Sequence, residues 1–293
     1  MNNYFSKYNK YKAKYLGKSQ SGGNFICDKI CKQYIELIET GNGINYRIYI
    51  GSKSGNIIHL ISPFHGINLY PNYDTPNIVN MIIEIPQYTQ KKIEISKDID
   101  YNPLKYDIKN NEIRIVDYQA KGSKYKGYPF HYGALPMTWE RNNLIDNRTG
   151  KYGDNDPIDA FDISSLSAYP GKIKQVKILG AFAMIDNEET DWKLICIDIE
   201  DNKSNEYNNY TDIPKDILES IDDFLTNYKK PTINTFAEKK LWNSSEAIDI
   251  VKDVHKHWFY LVNFKDNITK GTEEQKNAIS KIKISVEKYI NTK

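Results

Sequence analysis

Ile173-Lys174-Gln175-Val176-Lys177-Ile178-Leu179-Gly180-Ala181-Phe182-Ala183-Met184-Ile185 and Trp192-Lys193-Leu194-Ile195-Cys196-Ile197-Asp198-Ile199 are two β-rich runs with only a short polar link between them. The link is centred on Asn187-Glu188-Glu189-Thr190, a length and composition that predict a hairpin. Upstream, from Ile44, the texture is the same: Tyr46–Ile50, Ile57–Ile61, Val79–Ile85, Ile93–Ile95 and Ile113–Val116 are short apolar runs punctuated by Gly, Pro and Asn. Downstream of Asp201 the period becomes helical. Pro214–Tyr228 forms one helix, and Ser244–Val262 places Ala247, Val251, Val254, Trp258 and Leu261 on one face. Thr272 and Gln275 make a capping box for a last helix with Ile279, Ile282, Val286 and Ile290 as its stripe. No linker interrupts residues 44 to 262, so one barrel-like β domain wrapped by helices is expected.

The 293 residues are 40% hydrophobic, enough for a sizeable core. Lys plus Arg (40) nearly balances Asp plus Glu (38), which argues against an overall field for nucleic acid. Cys27, Cys31 and Cys196 form neither a disulfide framework nor a zinc pattern, consistent with a reducing compartment. No apolar run reaches the roughly 20 residues of a membrane span, and the N-terminus lacks a signal-peptide core, so an intracellular protein is expected. Residues 1 to 24 are a basic leader with Lys7, Lys10, Lys12, Lys14 and Lys18, no acid through Lys18, and Tyr4, Tyr8, Tyr11 and Tyr15 at helical spacing. A solvated appendage and a tag for a membrane surface, nucleic acid or partner both fit it. A short helix is expected over Cys27–Thr40, because Ile30, Tyr34, Ile35 and Ile38 share a face.

Asp154-Asn155-Asp156-Pro157-Ile158-Asp159 concentrates three carboxylates within six residues. Keeping them all ionised is costly unless cations intervene, and Mg2+ takes oxygen ligands of this kind. A polar turn would use the same residues, whereas a helix-loop-helix calcium loop would need Gly where Asp159 stands. Asp186 and Asp191 lie at either end of the hairpin link, with Lys193 on the face of Asp191; an opposed carboxylate pair there calls for a cation, although a solvated tip would look similar. Lys92 and Glu94 share a strand face near Glu84, and Arg114 suits forked recognition of phosphate, yet ordinary exposed strands carry such residues too.

Taken in order, these segments resemble the family I soluble inorganic pyrophosphatases, most closely the eukaryotic-type branch. Asp154–Ala160 matches D-x-D-P-[apolar]-D-[apolar], and the likeness continues through Ser62–His65, Met81–Glu94, Lys126–Tyr128, Tyr132–Glu140, Ala183–Asp186, Glu189–Lys193 and Ala247–Val251. The resemblance implies an α+β, mainly β fold with a highly twisted, five-stranded, OB-like barrel core (like the oligonucleotide- and oligosaccharide-binding domains), flanked by hairpins and helices. It implies one domain over 25–265 and a C-terminal helical extension over 266–293. The implied reaction is hydrolysis of pyrophosphate to two orthophosphates by a metal-activated water in direct in-line attack. Asp154, Asp159, Asp191, Asp186 and Glu94 would hold several Mg2+ ions, with Mn2+ or Zn2+ as substitutes, and Asp156 would take the proton of the attacking water. Lys92, Arg114, Tyr132, Lys193, Tyr228 and Lys229 would contact phosphate, with Lys92, Arg114 and Tyr132 also counted as catalytic; Glu84 and Tyr128 would line the cavity. A homodimer follows from the branch, although Gln87-Tyr88 stands where Arg-Trp is common. Departures are a longer Gln119–Tyr125 stretch, His131 in place of Asn, and Lys230–Asn234 after Tyr228-Lys229. The residue bias and the leader also resemble proteins of large A/T-rich DNA viruses, implying a cytoplasmic location, the host cytoplasm or a virus factory. A rival is an OB-like module binding single-stranded nucleic acid or a partner through its 23 tyrosines, a pseudoenzyme whose acidic cluster would repel a phosphate backbone. Specific nucleic-acid binding is not expected. Cys196 is expected in the core, and His255 and His257 as cap and surface groups of their helix.

Overall fold

A computed structural model describes residues 35–291. In chain order its strands are β1 (Glu36–Thr40), β2 (Arg47–Ser54), β3 (Ile57–Ile61), β4 (Ile78–Ile85), β5 (Ile93–Ile95), β6 (Leu104–Tyr106), β7 (Ile108–Lys109), β8 (Glu112–Ile113), β9 (His131–Ala134), β10 (Ile145–Asp146), β11 (Lys151–Tyr152), β12 (Asp159–Asp162), β13 (Ile173–Asp186), β14 (Glu189–Asp198), β15 (Thr235–Asn243) and β16 (Glu287–Asn291). The helices are α1 (Lys215–Asn227), α2 (Ser244–Phe264) and α3 (Glu273–Lys281).

Strand pairing closes a ring of five. β14 pairs in parallel with β12; β12 pairs antiparallel with β9, β9 with β4, and β4 with β13, which returns antiparallel to β14. Closure satisfies the edges that an open sheet leaves unpaired. β13 makes it possible by its length: Ile173–Lys177 pairs with β4 while Val176–Asp186 pairs with β14, with a register shift between Ile178 and Gly180. At Gly133 a Cβ would lie 1.9 Å from the Ile82 carbonyl oxygen, so only glycine lets β9 approach β4 so closely.

Val79 to Ile85 of β4 and Leu179 to Ile185 of β13 are buried without alternation. Such runs belong to strands covered on both faces. The second cover on β13 is α2, which packs on β13 and β15 through Ala247, Ile250, Val251, Val254, Trp258 and Leu261. Asn243 caps α2 by accepting from Glu246 N (3.0 Å), and Glu246 returns the bond to Asn243 N (2.9 Å). The barrel wall also encloses Lys174, which bridges Asp198 (2.9 Å) and Asp162 and is 1% exposed in its side chain.

A second sheet runs β16-β3-β2-β6-β5, with β1 beside β2. It corrects two expectations. Glu36–Thr40 is a strand paired with Arg47–Gly51, not the end of a helix, while Cys27–Tyr34 and the 1–24 leader lie outside the described residues. α3 stops at Lys281, and the residues expected to continue it as a helical extension enter β16, whose backbone pairs with β3. The capping box of α3 is present, with Thr272 accepting from Gln275 N (3.2 Å). Cys196 is buried and free, as expected.

Candidate active site

The Asp154–Asp159 loop enters β12 from the ring's end. Asp154 Oδ1 accepts from Asp156 N at 2.9 Å, so the two carboxylates sit on one short turn. Asn155 adopts φ 71°, a conformation Asn tolerates, and its side chain turns into the protein to accept from Trp139 Nε1 (3.0 Å). Backbone bonds Asn155 N to Glu140 O (2.9 Å) and Glu140 N to Asp156 O (2.8 Å) clamp the loop against Trp139-Glu140. Gly153 must be small here, since a Cβ would stand 2.4 Å from the Glu140 carbonyl carbon.

The β13–β14 hairpin supplies the next group. Its turn is Asn187-Glu188, with both φ positive and Asp186 facing Glu189, so the connection has two residues rather than the four expected. Asp191 faces Met184 and stands diagonal to Asp186 on one face, not directly opposite it. Lys193, two residues on, contacts Asp191 (2.5 Å), Asp159 and the Tyr132 hydroxyl (3.0 Å). Tyr132 OH donates to Asp159.

The facing wall comes from β4, β5, the segment after β8, and α1. Glu84 is 3% exposed and accepts from Ile95 N (2.7 Å). Lys92 pairs with Glu94 (2.7 Å) and lies 3.4 Å from Asp107, which also holds Arg114 (3.0 Å). Phe224 of α1 stacks on Tyr228 and packs against Tyr128, fixing the end of the helix from which Lys229 reaches Asp186. All residues singled out from the sequence therefore line one cavity of about 250 Å³: the carboxylates Asp154, Asp156, Asp159, Asp186, Asp191, Glu84 and Glu94, the cations Lys92, Arg114, Lys193 and Lys229, and Tyr128, Tyr132 and Tyr228.

Burial and mutual repulsion leave this carboxylate crowd short of positive charge. Burial, then Asp156 and Asp191, raise the Asp154 pKa well above the carboxylate range; Asp191, raised by burial and only partly relieved by Lys193, reaches about 6. Glu84 is raised by burial and then Asp159. Glu140, 2% exposed, is raised by burial and then by Asp154 and Asp191. Burial opposes the charge on Lys193, but Asp159 and Asp191 outweigh it and hold the ammonium firmly protonated. Ligand oxygens of Glu140, Asp154 and Asp191 all lie within 4.8 Å of one another, and Glu140 Oε2 is buried with no hydrogen-bond partner among the described residues. An oxygen-rich donor set with an unused buried oxygen fits a hard divalent cation.

The inorganic pyrophosphatase family matches residues 81–259. Human inorganic pyrophosphatase is 39% identical over 231 residues, covering 76% of this chain and 77% of its own, and that of Eremothecium gossypii is 38% identical over 228 residues, covering 75% and 77%. The chain belongs to the inorganic pyrophosphatase family. Among solved pyrophosphatases, that of Schistosoma japonicum superposes with a TM-score of 0.71 at 37% identity, covering 77% of this chain and 80% of its own. A truncated Trypanosoma cruzi vacuolar soluble pyrophosphatase, solved in complex with PPi, gives 0.70 at 31%, covering 83% and 96%.

Within this pyrophosphatase chain, the departures leave the cavity's charges in place. His131 Nδ1 accepts from Gln87 N (3.0 Å) and Nε2 donates to the Leu166 carbonyl (2.8 Å), a neutral imidazole whose pKa burial lowers. The Gln119–Tyr125 stretch closes on a Gln119–Lys126 bridge, and Lys229 still reaches Asp186. His255 and His257 are half-buried, not surface groups: His255 Nδ1 bonds the Met137 carbonyl (2.6 Å) and its ring stacks on Trp258. Two residues went unrecognised in the sequence. Glu140 stands inside a matching segment, but nothing local marks it as facing Asp154 and Asp191. Lys97, which pairs with Asp156 at 2.5 Å, follows the Lys92–Glu94 strand by only a turn and carries no periodic signal. Among the described residues no helix is long and apolar enough to cross a membrane.

Proposed function

We propose that the protein hydrolyses inorganic pyrophosphate to two orthophosphates in this cavity, with several Mg2+ ions as cofactor and Mn2+ or Zn2+ as substitutes. The observation that carries the reading is the interleaving of the carboxylates Asp154, Asp156, Asp159, Asp186, Asp191, Glu84 and Glu94 with the cations Lys92, Arg114, Lys193 and Lys229 around one space of about 250 Å³. When bound, divalent cations supply Lewis acidity toward water and charge neutralisation for phosphate. Asp154, Asp159 and Asp191, with Asp186 and Glu94, would hold them. Asp156, the member of the turn that Lys97 pairs with, would accept the proton of the attacking water at a carboxylate oxygen. Lys92, Arg114, Tyr132, Lys193, Tyr228 and Lys229 would grip the phosphates and neutralise the leaving group as the bridging P–O bond lengthens. Glu84 and Tyr128 would shape the wall. The cavity's lining includes no Ser, Thr, Cys or His among the described residues, which favours direct in-line attack by water over a covalent intermediate on such a nucleophile.

Asp156→Asn is expected to lower phosphate release about 10²- to 10⁴-fold, the usual worth of a general base, with thermal unfolding unchanged. Full activity in that variant would refute the assignment. The proposal extends to a catalytic domain over 25–265, a leader over 1–24 dispensable for turnover, a cytoplasmic location, and a homodimer, the last tested by light scattering of the purified protein.

A further inference from the structure

Asp107 stands at the corner between β6 and β7, where its backbone closes a three-way ring of hydrogen bonds with Lys92 and Arg114. Asp107 N donates to Lys92 O (2.9 Å), Lys92 N to Arg114 O (3.0 Å), and Arg114 N to Asp107 O (2.8 Å). Strand register on both sides builds this ring. Ile93 of β5 faces Tyr106 of β6, which brings Lys92 opposite Asp107. The β7–β8 hairpin turns through Asn110-Asn111, both at positive φ, and pairs Ile108 with Ile113, which brings Arg114 opposite the same residue. One carboxylate therefore meets two cations. Asp107 Oδ2 lies 3.0 Å from Arg114 Nη1 and 3.4 Å from Lys92 Nζ, and among the described residues Arg114 pairs with no other carboxylate. Lys92 and Arg114 line the cavity, whereas Asp107 does not; it holds them from behind.

We propose that Asp107 is a positioning residue: by holding Lys92 and Arg114 on a single carboxylate oxygen, it sets the spacing at which the two cations grip a diphosphate. This role rests on the reading of the cavity as a pyrophosphate site. Two like charges drawn to one oxygen repel each other, and long flexible stems do not keep such a spacing without an anchor. Glu94 also pairs with Lys92 (2.7 Å), but it is one of the carboxylates proposed to hold metal, which leaves Asp107 as the anion committed to the two cations alone. A guanidinium has five donors and an ammonium three, so one shared acceptor leaves donors for an incoming phosphate. Ordering the pair in advance strengthens both binding and the transition state, because the side chains need not be fixed when substrate arrives.

The test is calorimetric binding of methylenediphosphonate, a diphosphate analogue with a bridge that water does not cleave, to the full-length protein with Mg2+, alongside pyrophosphate turnover. Asp107→Asn keeps the shape and an acceptor but loses the charge. It should weaken binding and lower kcat/KM about tenfold each, the worth of one charge-assisted contact. In an Arg114→Met background the same change should cost about threefold or less, because residues that act as a unit do not add. Asp107→Glu keeps the carboxylate one methylene further out; it should fall between wild type and Asp107→Asn, with a loss that likewise shrinks without Arg114, and it serves should Asp107→Asn not fold. Wild-type affinity in Asp107→Asn, or an equal loss with and without Arg114, overturns the assignment. Binding needs no hydrolysis, so a wild type that shows this coupling yet releases no phosphate would refute the proposed reaction and leave the positioning role standing.

Discussion

Lys97 Nζ stands 2.5 Å from Asp156 Oδ1, while the Lys97 carbonyl accepts from Lys283 N at 2.7 Å. The lysine that reaches the proposed base is therefore anchored by the segment after α3. Lys283 O in turn accepts from Asn102 Nδ2 (3.2 Å) and bonds His65 Nε2 (3.1 Å), so the C-terminal chain ties the β5–β6 loop to the loop after β3. Lys97→Met should lower kcat about tenfold with little change in KM, because a charge-assisted hydrogen bond to the proposed base is lost. Steady-state phosphate release checks it; an unchanged kcat would show that the pair is incidental.

Glu140→Gln keeps an oxygen to accept from Trp192 N but removes a buried acid from beside Asp154 and Asp191. Apo stability should hold or rise, since repulsion is relieved. Metal affinity should fall about tenfold through loss of a negatively charged donor. Calorimetric titration against thermal melting separates these effects; a matching loss of both would mark Glu140 as structural only.

The pH dependence of the metal-free protein follows from Asp191, raised from 3.8 to about 6 by burial. A carboxyl whose folded pKa lies above its unfolded value binds its proton more tightly when folded, so stability falls as pH rises from about 4 to about 6. Asp154, Glu84 and Glu140 are shifted in the same direction. Thermal melts in chelator should show the decline, and Asp191→Asn should make it shallower. A melting temperature rising across that window would contradict the charge assignment.

Lys174→Met should destabilise the fold by about 3–5 kcal/mol, because it strands the buried carboxylates of Asp162 and Asp198. The urea midpoint reads this directly. The folded fraction should keep its turnover, since none of the three lines the active cavity.

Particular residues show how far the sequence could be read. The Asp154–Asp159 turn and the Asp186–Lys193 hairpin were legible because each is local: a carboxylate cluster the chain cannot solvate cheaply, and two apolar runs joined by polar residues. Lys92, Arg114 and Lys229 gained meaning only from an ordered family resemblance, since exposed strands and helix ends carry such residues everywhere. Glu36–Thr40 and Glu287–Asn291 were misread as helix. Each is a five-residue strand whose state is set by a partner, β2 or β3, rather than by its own period. Lys97 and Glu140 were missed for a related reason, because their importance lies in what distant backbone brings opposite them. Asn187-Glu188 shortened the hairpin loop by adopting positive φ, which spacing alone did not disclose.

The most direct test of the central claim is orthophosphate release by the purified full-length protein from pyrophosphate, with and without Mg2+. Two orthophosphates per pyrophosphate, dependent on the metal and lost in Asp154→Asn, is the predicted result. No release with Mg2+ present, or undiminished release by the variant, would contradict it.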